Sequence, residues 1–228
     1  MKAVLFDLDG TLARMDIRLV EPIASAVEFE LGHRPEEEDV EGPLRELLGY
    51  VGAKSKFKVL KIVWNIGESV QLSFFRKIRF IIRAIRNYNR SKYNFELIDG
   101  AEANIRWALD NYKVALVTSA SRKAVESAKM QIPILREIKV VVTDDDVKNP
   151  KPDSEPILLA CKGLGVDPSE AIYIGDLTVD VIAGKKTGCH TIAFLGQYGQ
   201  FTKSLILEQS PDVVVEDHAE LAKVLMKV

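Results

Sequence analysis

Short apolar runs alternate with helix-like stretches over most of the chain. From Asn104 onward, five runs rich in β-branched residues are separated by segments whose apolar residues recur at helical spacing, and a similar run opens the chain. The six candidate strands are residues 3–6, 114–117, 140–142, 171–174, 191–194 and 212–215. Buried strands alternating with helices are typical of an α/β fold with a doubly wound parallel sheet.

Residues 14–95 follow a different pattern. Apolar residues recur there at helical spacing, and no convincing strand appears. We therefore predict a helical insertion after the first strand, which we call the cap. The predicted domains are a catalytic core of residues 1–13 and 96–228 and a cap of residues 14–95.

Composition bounds the class of protein. Hydrophobic residues make up 47% and charged residues 28% of 228 residues, as in ordinary globular proteins. No apolar stretch is long enough to span a membrane and no secretory leader is visible, so we expect a cytoplasmic protein with no membrane partner. The two cysteines, Cys161 and Cys189, are too few for a disulfide framework or a thiolate metal site, and we expect small buried hydrophobes.

Charge is segregated within the cap. Residues 21–46 hold nine acids against two arginines, whereas residues 54–92 hold eleven Lys and Arg against Glu68 alone. A helix predicted over residues 70–89 carries an apolar face beside a stripe formed by Arg76, Arg79, Arg83, Arg86 and Arg90. The stripe is either an electropositive surface for an anionic substrate or nucleic acid, or a solvated face that pairs with the acidic half of the cap. We favour the second interpretation, and the net charge of −2 gives no global attraction to nucleic acid.

Two carboxylates, Asp7 and Asp9, directly follow the first apolar run in the sequence Asp-Leu-Asp-Gly-Thr. A short apolar run ended by a glycine is typical of a buried parallel strand, so these acids are predicted at its carboxyl end. Open α/β sheets bind their ligands at that edge.

Further polar groups follow the later strands. Thr118 and Ser119 come after the second run, Lys151 lies in a proline-bracketed loop, and Asp176 and Asp180 follow the run at 171–174. Some of these residues have a structural alternative: one of the hydroxyl residues can simply cap a helix, and Asp180 can be a first-turn acid favoured by the helix dipole. The Lys151 loop is weak evidence when taken alone.

Together these groups supply what phosphoryl transfer needs. Asp7 and Asp176 offer the oxygen ligands that Mg²⁺ prefers. Lys151 and Thr118 can offset charge on the phosphoryl oxygens. One of the two paired acids can attack phosphorus, which leaves the other for proton transfer.

The order of four segments, residues 7–11, Thr118, Lys151 and residues 175–180, resembles the haloacid dehalogenase-like phosphohydrolase superfamily. The helical insertion is similar to the cap of phosphoglycolate phosphatase and β-phosphoglucomutase relatives, where it closes over the site and helps to choose the substrate. The resemblance implies a Rossmann-like core. True dehalogenases need neither a metal nor an acid two residues after the nucleophile, so Asp9 and Asp176 argue against carbon–halogen chemistry.

The resemblance also implies roles for the acids. Asp7 would be the nucleophile and Asp9 the general acid and base. Mg²⁺ would be held by Asp7, the backbone carbonyl of Asp9 and Asp176, with Asp180 supporting the metal site.

Phosphate binding is likewise implied. Thr118 would hydrogen-bond the phosphoryl group, helped by backbone amides near Leu8 and Ser119, and Lys151 would offset charge on Asp7 and the phosphoryl.

The predicted function is a Mg²⁺-dependent phosphatase acting on a small phosphate monoester, either phosphoglycolate-like, a sugar phosphate or a nucleotide. A phosphomutase of the same family, or a protein that binds nucleotides or nucleic-acid ends through its basic cap, are the alternatives. The protein is expected to be a monomer or a homodimer. Apolar cap residues such as Trp64, Phe74 and Phe80 are expected to pack within the chain rather than on another subunit.

Overall fold

Six parallel strands form the centre of one of the two units in this computed structural model, which describes residues 1–35 and 56–227. That unit comprises Met1–Arg14 and Phe95–Val228, and the other comprises Met15–Asn94. The strands are β1 (Ala3–Phe6), β2 (Lys113–Val117), β3 (Val140–Val142), β4 (Ala171–Gly175), β5 (His190–Phe194) and β6 (Val213–Val215).

The sheet runs in the order β3-β2-β1-β4-β5-β6, and every neighbouring pair is parallel. Phe6 at the end of β1 pairs with Leu116 of β2 on one side and with Ile174 of β4 on the other. The carboxyl ends of these three strands therefore lie side by side at the middle of the sheet. This strand order is that of a Rossmann-like fold, so the predicted fold class is confirmed.

Helices flank the sheet and are numbered here in chain order among the described residues. Those of the sheet unit are α4 (Ala101–Asn111), α5 (Arg122–Gln131), α6 (Glu155–Leu164), α7 (Thr178–Thr187), α8 (Gly199–Leu207) and α9 (His218–Leu225). Short 3₁₀ turns lie at Pro133–Arg136, Asp144–Asp146, Pro168–Glu170 and Gly196–Tyr198.

A buried hydrophobic cluster joins α6 to the sheet. Leu5 of β1 and Ile157 of α6 belong to it, as do Cys161 and Cys189. Both cysteines are free and buried, which confirms the prediction that they act as small hydrophobes.

The second unit is helical in its described residues. It contains a π-helical turn (Asp16–Val20), α1 (Glu21–Leu31), α2 (Lys56–Ser69) and α3 (Phe74–Ser91), with α3 packed against both α1 and α2. The helix predicted over residues 70–89 begins later because Gln71 has a φ of 54° and Ser73 is extended. None of the helices in the described ranges is both long and apolar enough to cross a bilayer.

α3 buries only part of its apolar surface. Phe80 is fully buried, whereas Phe74 is 60% exposed and Ile82 62% exposed. The expectation of packing within the chain is therefore confirmed for Phe80. Phe74 packs only partly, with its ring 5.9 Å from that of Trp64. The helix has more apolar positions than one buried face can hold.

The basic stripe of α3 is partly neutralised within its own unit. Arg79 and Arg76 lie 2.7 Å and 3.5 Å from the buried carboxylate of Glu30 in α1, and Lys77 lies 3.1 Å from Glu68. The two pairs with Glu30 support the interpretation of a face that pairs with the acidic half of the cap, whereas Glu68 belongs to the basic half. The predicted acids at residues 36–46 lie outside the described residues.

Candidate active site

The pairing of β1 with β4 sets two acids next to each other. Asp7 extends β1, and its backbone N–H donates to the carbonyl of Ile174 in β4 (2.9 Å). Asp176 directly follows β4, and Asp180 lies in the first turn of α7. The sheet register therefore gathers acids that are separated by almost 170 residues in the chain.

Lys151 links these acids. Its Nζ donates to Asp7 Oδ1 and to Asp180 Oδ1, both at 2.6 Å, and to the hydroxyl of Tyr173 at 3.0 Å. The lysine and both acids are buried. An ammonium group can be buried at this depth because carboxylates neutralise it on two sides.

Asp180 is fully engaged by protein donors. Its Oδ1 accepts from Lys151 and from the hydroxyl of Tyr173 (2.8 Å), and its Oδ2 accepts the N–H of Leu177 (3.0 Å). The contact with Leu177 caps the N-terminus of α7, while the contact with Lys151 links the same residue to the site. Asp180 therefore has both the structural role and the site role considered for it. Asp180 is thus better suited to support neighbouring ligands than to bind a cation with a free oxygen.

The acidic cluster fits a hard divalent cation. Oxygen atoms of Asp7, Asp176 and Asp180 all lie within 4.8 Å of one another, and all three residues are buried. When ionised, three carboxylates against the single ammonium of Lys151 leave two negative charges in excess. Carboxylate oxygens are the ligands that Mg²⁺ uses in proteins, so the donor set and its charge match that ion.

Electrostatics show the cost of this cluster without a cation. Burial, with a contribution from the charge of Asp180, raises the pKa of Asp7 to about 7 despite the nearby Lys151. Burial and the charges of Asp7 and Asp180 raise the pKa of Asp176 well above its ordinary value. Burial alone would lower the pKa of Lys151, but Asp180 and Asp7 raise it well above its usual value and keep the lysine charged. A bound cation would favour the ionised carboxylates.

The turn after Asp9 approaches Asp176 closely. Gly10 has a φ of 86°, and a Cβ atom there would lie 2.0 Å from Asp176 Oδ2, so only glycine fits. The neighbouring Thr11 hydroxyl donates to Asp176 Oδ1 at 3.3 Å. Asp9 itself is half-buried in this turn.

The hydroxyl residues predicted to bind phosphate lie at the end of β2. Thr118 is buried there, and its Oγ1 accepts the N–H of Ala120 (3.0 Å), while Ser119 is half-buried. The N-cap of α5 is Ser121, whose side chain accepts from Ala124. Capping this helix therefore needs neither Thr118 nor Ser119.

The structure thus divides the predicted site residues into two groups. Asp7, Lys151, Asp176 and Asp180 form one buried, directly connected cluster. Asp9, Thr118 and Ser119 lie beside it in the segments that follow β1 and β2.

Sequence reasoning gave no role to two residues that hold this cluster. Tyr173 was assigned only to a buried strand, although a buried tyrosine needs a partner for its hydroxyl. Thr11 stood inside the Asp-Leu-Asp-Gly-Thr motif, but its contact with Asp176 depends on a fold that joins positions 165 residues apart.

Comparison with known proteins defines the class to which this fold and site belong. The family model for haloacid dehalogenase-like hydrolases matches residues 4–194. The chain therefore belongs to the haloacid dehalogenase-like hydrolase family, as predicted, and it is an enzyme of that family.

Individual relatives cover nearly the same length. Pyrophosphatase PpaX from Bacillus velezensis is 32% identical over 83% of this chain and 81% of its own. N-acetylmuramic acid 6-phosphate phosphatase from Pseudomonas putida is 28% identical over 99% of this chain and 96% of its own. A crystal structure of a family hydrolase from Deinococcus radiodurans, with bound phosphate and sodium, has a TM-score of 0.78, 19% identity and coverage of 100% of this chain and 96% of its own. The last similarity supports the fold.

Proposed function

We propose that the protein is a Mg²⁺-dependent phosphatase that hydrolyses a small phosphate ester through an aspartyl-phosphate on Asp7. The buried bridge in which Lys151 contacts both Asp7 and Asp180 at 2.6 Å carries this proposal. The bridge fixes one oxygen of Asp7 and compensates part of the charge that phosphoryl binding would add. Fixed opposite charge in a buried site lowers the energy of a transition state in which charge is redistributed.

The reaction would proceed in two displacements. In the first, a carboxylate oxygen of Asp7 forms a bond to phosphorus while the bond from phosphorus to the ester oxygen breaks, and Asp9 gives a proton to that leaving oxygen. In the second, Asp9 takes a proton from water as the water oxygen bonds to phosphorus. The bond between phosphorus and Asp7 then breaks, which releases phosphate and restores both acids.

Asp7, the backbone carbonyl of Asp9 and Asp176 would hold Mg²⁺, with Asp180 as support. The ion, when bound, would neutralise charge on the phosphoryl oxygens. The Thr118 hydroxyl and the N–H of Ser119 would donate to the same oxygens. We also propose that residues 14–95 act as the cap that selects the substrate.

Pyrophosphate is a second candidate substrate. The relative from Bacillus velezensis that is 32% identical is named a pyrophosphatase, whereas the relative from Pseudomonas putida is named an N-acetylmuramic acid 6-phosphate phosphatase. Pyrophosphate and a sugar phosphate both carry a terminal phosphoryl group that the same two displacements could transfer. They differ in the leaving group, which is phosphate in the first and the sugar in the second.

A phosphate-release panel with and without Mg²⁺ tests reaction and substrate together. It should contain pyrophosphate, phosphoglycolate, several sugar phosphates and nucleotides. Phosphate release that excess chelator abolishes is the expected result. Isomerised sugar phosphate without free phosphate would instead identify a phosphomutase.

Asp7→Asn tests the nucleophile. Replacing the attacking oxygen with a neutral amide should reduce kcat by at least about 10³-fold, while the protein stays folded. The matched control is Asp110→Asn, which alters an exposed aspartate of α4 and should leave kcat unchanged. In the unsubstituted enzyme, acid quenching during turnover followed by mass analysis should locate a phosphoryl adduct on the peptide that contains Asp7. An adduct on another side chain would refute the assignment.

A further inference from the structure

His218 connects the C-terminal helix to the loop that carries the predicted nucleophile. It is the first residue of α9 and is only 3% exposed, with its ring against that of Phe194 at a centroid distance of 4.6 Å. Its Nε2 lies 2.9 Å from the carbonyl oxygen of Thr11, 207 positions earlier in the chain. A buried ionisable side chain in this position contacts the active-site segment from outside the four signature motifs.

The hydrogen bonds of Asn104 fix which nitrogen of His218 carries the proton. Asn104 Nδ2 donates to the backbone carbonyl of His218 (2.8 Å), which sets the orientation of the amide, and the same nitrogen lies 3.0 Å from His218 Nδ1. Because an amide NH₂ only donates, Nδ1 must accept, and the ring proton is on Nε2. Burial lowers the pKa of His218, which keeps the ring neutral. His218 Nε2–H therefore donates to the carbonyl of Thr11.

This donor satisfies a carbonyl that has few other partners. Thr11 is fully buried, and within the described ranges no backbone N–H outside regular helices and strands donates to its carbonyl. A buried carbonyl that loses its donor raises the free energy of the folded arrangement, so without His218 the loop would move until this carbonyl found another donor.

Movement of this loop would reach Asp176 directly. The Thr11 hydroxyl donates to Asp176 Oδ1 at 3.3 Å, and the space above Gly10 is filled by the same carboxylate. The Gly10 and Thr11 turn is therefore held between His218 on one side and Asp176 on the other.

We propose that His218 is a positioning residue of the active site: by holding the Thr11 carbonyl it fixes the Gly10 and Thr11 turn against Asp176. This inference rests on the proposed function, in which Asp176 binds Mg²⁺. His218 touches neither substrate nor the reacting atoms and acts through the turn.

Two substitutions separate the hydrogen bond from the packing of the ring. His218→Phe keeps an aromatic ring against Phe194 but has no N–H, whereas His218→Gln retains an amide N–H that can reach the carbonyl of Thr11. We expect His218→Phe to weaken Mg²⁺ binding, measured by calorimetry, about tenfold and to lower kcat about tenfold or more, with KM changed by less than about threefold. His218→Gln should recover both values to within about threefold of the wild type. His190→Gln, at the start of β5 beside Asp212, is the matched control and should change neither.

The outcomes separate this inference from the proposed function. A folded His218→Phe protein with wild-type Mg²⁺ affinity and kcat overturns the role of His218 and leaves the proposed phosphatase standing. If the wild-type protein releases phosphate from no compound in the panel, the proposed function fails, and Mg²⁺ calorimetry on the same variants still tests His218.

A measurement on the unsubstituted protein covers the case in which His218→Phe does not fold. Imidazole ¹⁵N NMR should show a neutral His218 ring with the proton on Nε2, and added Mg²⁺ should shift its resonances but not those of His190. A proton on Nδ1 would contradict the proposal, and so would His218 resonances that do not shift at saturating Mg²⁺.

Discussion

At the scale of single residues, Lys151 is the group on which the site depends most. The residue is 4% exposed, and its ammonium lies between Asp7 and Asp180, with Tyr173 as a third contact. Burying a charge costs several kcal/mol unless partners compensate it, so the lysine and its two acids are stable only together. The motif identified the lysine, while the tyrosine that completes its surroundings became visible only in the fold.

Replacement of Lys151 should therefore affect both stability and turnover. Lys151→Met leaves two buried carboxylates without their cation, and we expect the free energy of unfolding at neutral pH to fall by about 3 kcal/mol. In the wild type Lys151 lowers the pKa of Asp7, so this pKa should rise further in Lys151→Met. Less of the nucleophile is then ionised, and kcat should drop.

Urea unfolding and phosphate release would measure these two effects. Lys162→Met, which alters an exposed lysine of α6, is the control and should change the free energy of unfolding by less than about 0.5 kcal/mol. Equal stability of the two variants would show that the buried bridge contributes nothing.

At the scale of elements, α3 shows how a helix with apolar residues on several sides chooses the one it buries. Phe80 and Ala84 belong to the hydrophobic cluster shared with α1 and α2, whereas Ile78, Ile82 and Ile85 are exposed. The spacing predicts one apolar face, and most of that face is exposed: it consists of Phe74, Phe75, Ile78, Ile81, Ile82, Ile85 and Tyr88. The contacts with α1 and α2 are made on the side that carries Phe80, and they determine which side of α3 is buried.

This choice predicts unequal effects for two similar truncations. Phe80→Ala empties a fully buried position and should cost about 3–5 kcal/mol of unfolding free energy. Ile82→Ala removes an exposed side chain and should cost less than about 0.5 kcal/mol.

The two tryptophans allow the measurement to be confined to one unit. Trp64 lies in α2 and Trp107 in α4, so a Trp107→Phe background leaves fluorescence that reports only the unit of residues 15–94. Similar losses for Phe80→Ala and Ile82→Ala would contradict the burial described for α3.

At the scale of the whole molecule, the acidic cluster couples stability to pH and to cation binding. The pKa of Asp7 is about 7 in the folded protein, above the ordinary value of 3.8 for an unfolded chain. The folded state therefore binds a proton more tightly than the unfolded state does. The stability that Asp7 contributes without metal is full below pH 3.8 and is lost as the pH rises through about 7.

Mg²⁺ should thus stabilise the protein more at pH 8 than at pH 6. At pH 6 a proton on Asp7 must be displaced, which should weaken apparent Mg²⁺ binding roughly tenfold relative to pH 8. Thermal unfolding with and without Mg²⁺ at each pH measures the difference, because a ligand that binds only the folded state raises Tm. Asp7→Asn should reduce the dependence on pH and leave the part due to Asp176, whose pKa burial also raises. An equal Mg²⁺ effect at both pH values in the wild type would contradict the raised pKa values of these two acids.

The six strands, the α/β class and the family could all be predicted from the order of residues, because each depends on short segments of the chain. Five of the six predicted runs lie wholly within strands, and the sixth strand begins only one residue later than predicted. Local patterns suffice there because a buried parallel strand requires a short apolar run and its carboxyl end requires polar residues.

The side chains that hold the predicted site residues in place could be recognised only in the folded protein. The hydroxyl of Tyr173 on Lys151, Thr11 on Asp176 and His218 on Thr11 are contacts between residues 22, 165 and 207 positions apart. The buried side of α3 was decided in the same way. Such contacts depend on sheet register and on helix packing, which arise from the sum of many weak long-range interactions. No periodic pattern of residues within a single segment indicates them.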